Sequence, residues 1–376
     1  MTGRLTCTAW AVALLLASSP AARAQENFNG ITSPTLFAPF RSDAPACAPP
    51  PGLTRALAFV QDNEREFMQG VKRGLERAAK SRDLKFSVAL SNNDPRKMID
   101  QVEELHGAKI GAIIVASVDP PSLSPHIKKL IWSGHYIGMV VPPPAITLLN
   151  APQYLTGKVL GDAAAAYIAK HLRGKAKVVL LTHDSLQFLA PRFTAMRDAL
   201  RSLPEVTIVA DISPVTVNKA GGRDTMRKIL LAQPTIDVVL GADTVVLGAL
   251  EAMREAGKAR DDQFLGGIDG ELEAVREIKK GGPYKASVSL ASPIFGYALG
   301  HYGADWLEGK SVPQAIDILP HALASDNIGQ YENDVADPDG VFFDPVRRNK
   351  YLKFYGNICY ESRADFVNFP WSSERK

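Results

Sequence analysis

Ile110-Gly111-Ala112-Ile113-Ile114-Val115 is an unbroken apolar run, a helical stretch follows from about Ser122 to Trp132, and Tyr136-Ile137-Gly138-Met139-Val140-Val141 is apolar again. Apolar runs without alternation mark strands buried on both faces, and an intervening helix makes two such strands parallel. The same unit extends upstream. Ala56–Val60 and Phe86–Leu90 read as strands, with Phe67, Met68, Val71, Leu75 and Ala78 at helical spacing between them. Asn92-Asn93-Asp94-Pro95 then opens a helix carrying Met98, Val102 and Leu105. Pro142-Pro143-Pro144 ends this first unit.

Downstream the alternation restarts with a helix from about Gly157 to His171. Strands follow at Val178–Leu181, Val206–Ala210, Ile236–Leu240, Phe264–Ile268 and Lys285–Leu290, with helices between them and a last helix from about Pro293 to Leu307. Two successive open parallel α/β sheets are therefore expected. Ligands of such sheets bind outside the carboxyl ends of the strands. Two lobes facing each other would gather both sets of strand ends around one ligand.

The chain starts with Arg4, an apolar run from Ala9 to Ala17 and Ala22-Arg23-Ala24. That order predicts an export signal cleaved after about Ala24, and no second apolar run is long enough to span a membrane. The expected location is the periplasm. Residues 1–24 hold two basic and no acidic residues, so cleavage lowers the formal net charge from +3 to +1. This balance makes no electrostatic case for nucleic acid or an anionic membrane. Residues 25–52 are a Pro-rich extension. Cys47 and Cys359 remain after cleavage. They either pair, tying this extension to the C-terminal tail, or stay as two thiols.

Tyr167-Ile168-Ala169-Lys170 with Gly174-Lys175-Ala176-Lys177-Val178-Val179, Val238-Val239-Leu240 with Asp243, Leu247-Gly248-Ala249-Leu250 with Ala256-Gly257-Lys258, and Gly267-Ile268-Asp269-Gly270 occur in this order. With Asn92–Pro95 and Ile113–Asp119, they resemble the ribose-type periplasmic solute-binding proteins over about Leu53 to Pro320. The resemblance implies a two-lobed Venus-flytrap fold that delivers a small ligand, usually a sugar, to an ABC permease. It implies a first lobe of residues 53–155 plus about 291–320, and a second of 156–290. It also implies no enzymatic activity and no cofactor, and a monomer is expected.

The resemblance also suggests ligand residues. Arg192 and Asp269 match the second lobe's hydroxyl-binding Arg and Asp, and Phe67 and Met68 match an aromatic pair with one ring lost. Gln61 and Arg65 match polar positions after the first strand, and Ser117 falls near the Asn after the third. Asp243 belongs to the same set, and His183 follows a strand at the cleft. Each has a plainer reading: Asp269 as a helix cap, Arg192 and Arg65 as surface arginines, His183 as a loop residue. Ala116, Val141-Pro142, Ala242 and Leu290 stand where the family has polar residues, so ribose itself does not carry over. Arg65 and Arg192 together would suit an acidic sugar derivative. No zinc-spaced Cys/His set, phosphate loop or nucleophile elbow is present in the sequence. Asp334, Asp337 and Asp339 read as an acidic turn. The expected function is solute capture for an ABC importer; the alternative is a sensory module for a membrane receptor kinase. Residues 321–376 are an aromatic-rich extension, expected either to pack on the lobes or to offer a partner surface.

Overall fold

The computed structural model describes residues 37–140, 144–183, 186–369 and 371. The export signal, Val141-Pro142 and Asp184-Ser185 lie outside these residues. The chain first builds β1 (Thr54–Gln61), α1 (Glu66–Ser81), β2 (Lys85–Leu90), α2 (Pro95–Gly107), β3 (Ile110–Val115), α3 (Pro120–Trp132), β4 (Tyr136–Met139) and β5 (Thr147–Asn150). It leaves through α4 (Gln153–His171) for β6 (Lys175–Leu181), α5 (Ala190–Arg201), β7 (Glu205–Ile212) and α6 (Lys219–Ala232). The same sheet continues with β8 (Val238–Leu240), α7 (Asp243–Glu255), β9 (Phe264–Asp269), α8 (Leu272–Lys279) and β10 (Tyr284–Ser289). The return runs through α9 (Ser292–Leu307) and β11 (Ala315–Ile318), then across to β12 (His321–Leu323). The last stretch is α10 (Ile328–Ala336), α11 (Pro338–Phe343), α12 (Pro345–Arg348) and β13 (Leu352–Tyr355).

Among the described residues these elements form two sheets, ordered β13-β11-β5-β4-β3-β1-β2 and β12-β10-β9-β8-β6-β7. Each is parallel except for one antiparallel edge pair, β11 with β13 and β10 with β12. This is the expected two-lobed α/β Venus-flytrap architecture. The unbroken apolar character of β3 and β8 matches their burial on both faces. α1 turns Met68, Val71, Leu75 and Ala78 inward, one stripe at helical spacing. α2 starts where Asp94 accepts hydrogen bonds from the Arg96 and Lys97 N–H groups, at 2.9 and 3.2 Å. α9 is buried nearly all round because α1, β3, β4, α10 and α11 all pack on it. A side chain at Gly74 would overlap the Pro293 carbonyl, so this glycine lets α1 lie close against α9.

The chain passes between the sheets four times: at α4, at α9, between β11 and β12, and on the way from β12 to β13. The aromatic tail is therefore part of both sheets rather than an appendage. Phe342 packs on Tyr297 and Tyr302 at 5.4 and 5.7 Å between ring centroids. Residues 37–47 run beside the tail, where the Phe40 N–H donates to the Phe354 carbonyl at 3.0 Å. The acidic turn is structural: Asp334 pairs with Arg347 at 2.8 Å, Asp337 caps α11, and Asp339 pairs with Arg77 at 2.8 Å. No helix among the described residues is long and apolar enough to cross a membrane.

The structure pairs Cys47 with Cys359, their Cα atoms 5.7 Å apart, within the span a disulfide bridges. The chain from Gln25 onward, denatured without reductant, is expected to show no titratable thiol. Replacing Cys359 by Ser should lower the stability by about 2–4 kcal/mol, read as a lower urea midpoint. Two free thiols in the native protein would contradict the pairing.

Candidate functional site

Gln61 ends β1 in a buried position, and its amide donates to the Asn63 carbonyl. The loop that follows places Arg65 at the cap of α1. The Arg65 guanidinium stands 3.5 Å from Asp62 and 5.7 Å from the centre of the Phe67 ring. Phe67 is half-buried against Phe295, with ring centroids 5.8 Å apart. Met68 departs from expectation. The helical period turns it into the core stripe of α1 with Val71, Leu75 and Ala78.

On the second sheet, Arg192 sits in the first turn of α5 and is 6% exposed. Its Nε donates to Gln153 Oε1 at 2.9 Å, at the start of α4 where the chain first crosses between the sheets. A side chain at Gly157 would overlap the Arg192 carbonyl, so that glycine lets α4 and α5 approach closely enough to set Arg192 in place. Burial lowers the Arg192 pKa, nearby Asp269 opposes the shift, and Arg65 adds to it. Burial likewise raises the Asp269 pKa, against the pull of Arg192 and Arg65. Arg65 on the first lobe thus acts electrostatically on both Arg192 and Asp269 of the second.

Asp269 has a φ of 123°, a backbone region L side chains rarely adopt. Such conformations cost about 1–3 kcal/mol and cluster at functional sites. It is not a helix cap, since Glu271 occupies that position at α8. Asp243 also departs from expectation. Its carboxylate is fully buried and accepts from the Tyr284 hydroxyl at 2.6 Å, Ser287 Oγ at 2.6 Å and the Glu271 N–H at 2.9 Å. Its oxygens are spent on holding the second sheet's strand ends together. Burial raises its pKa to about 6, and those hydrogen bonds oppose the shift. Ser117 follows β3 and His183 follows β6, both partly buried.

Sequence reasoning missed Glu271, which is 6% exposed. Burial first, then Asp243, Asp269 and Glu66, raise its pKa to about 9, with Arg65 opposing. Arg65 Nε, Ser117 Oγ, Thr182 Oγ1 and Glu271 Oε1 are buried without a hydrogen-bond partner among the described residues. All of them lie just beyond the carboxyl ends of strands, β1, β3, β6 and β9 respectively. Buried polar atoms are rarely left unpaired. They fall at the carboxyl ends of parallel strands, the place where open α/β sheets bind their ligands. A cavity of about 460 Å³ lies elsewhere, between the N-terminal arm and the tail, lined by Phe40, Tyr302, Arg348 and Phe354.

These features define a two-lobed ligand-binding protein. Residues 56–311 match the family described as periplasmic binding protein domain, and the chain belongs to that family. The ribose import binding protein of Bacillus subtilis (strain 168) is 26% identical over 263 residues, covering 66% of this chain and 80% of that protein. A xylitol-binding protein of Mycolicibacterium smegmatis is 27% identical over 319 residues, covering 82% and 88%. A Bacillus halodurans ABC transporter solute-binding protein, solved with bound myo-inositol, superposes with a TM-score of 0.66 at 20% identity, covering 75% of this chain and 98% of that one.

Two outcomes follow from this geometry. Gly to Ala inside a helix ordinarily gains about 0.5–1 kcal/mol, but Gly157→Ala should lose about 1–3 kcal/mol through overlap with Arg192, measured as a urea midpoint. The second concerns pH. Glu271 is protonated more readily folded than unfolded, so the stability it contributes is full below about pH 4.5 and is lost as pH rises towards 9. Glu271→Gln removes this loss. Its melting temperature should exceed the parent's at pH 8 and match it at pH 4.

Proposed function

We propose that this chain is an exported solute-binding protein that captures a neutral polyhydroxylated ligand, a sugar or polyol, between its lobes for an ABC permease. The carrying observation is a buried Arg192 and a half-buried Asp269 of opposite charge on the second lobe, together with polar atoms left unpaired at the strand ends of both sheets. A guanidinium fork donates to hydroxyl oxygens, and a carboxylate accepts their protons. Phe67 offers a flat apolar face to a sugar ring. The residue replacements at Ala116, Ala242 and Leu290 suit a ligand with fewer hydroxyls than ribose presents.

Arg65 already pairs with Asp62, and the opposite charge of Asp269 already acts on Arg192. That balance favours a neutral ligand over the acidic one which two arginines alone suggest. The named relatives are import and binding proteins, so the sensory alternative is not carried forward. Closure around a ligand that touches both lobes would present the closed form to the permease. In the periplasm the Cys47–Cys359 pair would be oxidised.

Calorimetric titration with D-ribose, xylitol, myo-inositol, D-allose and a sugar acid tests this. A neutral member should bind tightest. Arg192→Ala and Asp269→Ala should each weaken it by on the order of 10- to 100-fold. Binding confined to the acid, or no binding at all, would overturn the reading.

A further inference from the structure

Glu271 lies in a loop whose backbone is locked from three sides. Its N–H donates to Asp243 at 2.9 Å, the Gly270 N–H donates to Ser287 Oγ at 3.1 Å, and the Tyr331 hydroxyl of α10 donates to the Gly270 carbonyl at 3.0 Å. Asp243 is itself fixed by Tyr284 and Ser287. At Gly270, φ is 71° and a side chain would overlap Ser289 and Tyr331, so this loop has one shape. It holds the Glu271 carboxyl out of water, with Oε1 unpartnered among the described residues.

The charged groups facing Glu271 come from several elements. Asp243 of α7, Asp269 of β9 and Glu66 of α1 are acids, and Arg65 is a cation. Arg65 is paired with Asp62 and Glu66 with Arg73. An ionised carboxylate at Glu271 would be unsolvated, beside other acids and without an ion pair. The neutral acid avoids all three penalties, and a neutral carboxyl is a hydrogen-bond donor.

We propose that Glu271 is a ligand-contacting residue that reads the bound polyol as a neutral carboxylic acid, donating a hydrogen bond from its carboxyl to a ligand oxygen. This role rests on the ligand class proposed above and narrows it. The ligand presents a hydroxyl or ether oxygen at this point, and the facing acids reject an anionic group there.

The test uses the tightest binder of the sugar and polyol panel. Glu271→Gln keeps a donor without a charge and should bind within about 3-fold of the parent, whereas Glu271→Ala should lose roughly 10-fold or more. At pH 7, infrared spectra of the parent should show a protonated-carboxyl stretch that is absent from Glu271→Gln and shifts when the ligand is added. Equal binding by parent and Glu271→Ala overturns the role, as does loss of binding in Glu271→Gln equal to that in Glu271→Ala. If Glu271→Ala does not fold, the Gln variant and the infrared band decide, and absence of the band overturns the neutral acid. A parent that binds no panel member overturns the ligand class itself, and this role with it.

Discussion

Removing Arg192 and Asp269 from water is costly unless each has a compensating partner. The opposite charges of Arg192 and Asp269 favour each other's ionised form, and the Arg65 charge supports Asp269 while opposing Arg192. Both residues belong to the second lobe, and Arg65 adds a charge from the first. The arrangement needs the helix packing that sets Arg192, and the tail contact that fixes the backbone beyond Asp269. The candidate site is thus a place where the fold tolerates unfavourable burial and leaves polar atoms unmatched.

Arg192 links recognition to the first crossing between the sheets. Its Nε is held by Gln153, the first residue of α4. The residue that would touch a ligand is thereby tied to the segment that must flex if the lobes move. Tyr331 makes a similar link from the tail, since α10 contacts α9 of the first lobe while its hydroxyl grips the loop of the second.

The parallel strands were legible because burial on both faces leaves continuous apolar runs such as Ile110–Val115. Arg192 and Asp269 were legible by position in a resemblance, not by residue type. β5, β12 and β13 were not. They are three or four residues long, and two of them are edge strands whose pairing is set by distant segments. Met68 carries two readings in the sequence, a helical core stripe and a ligand-facing position, and its burial with Val71, Leu75 and Ala78 favours the first. Asp243 was misread because its three donors come from two later segments. Glu271 left no trace in the sequence: an acid at a helix start is common on surfaces, and only the tertiary fold buries it.

The second sheet is built from one continuous stretch, β6 to β10, yet its outer strand β12 arrives later in the chain. The lobe is therefore an inserted cassette that borrows its last strand from its host. Transplanting residues 153–289 alone would leave the open edge of β10 as an adhesive template for other strands. A chimera designed to exchange specificity between relatives must carry β12 and α10 along with the cassette, or replace them with an edge that repels pairing.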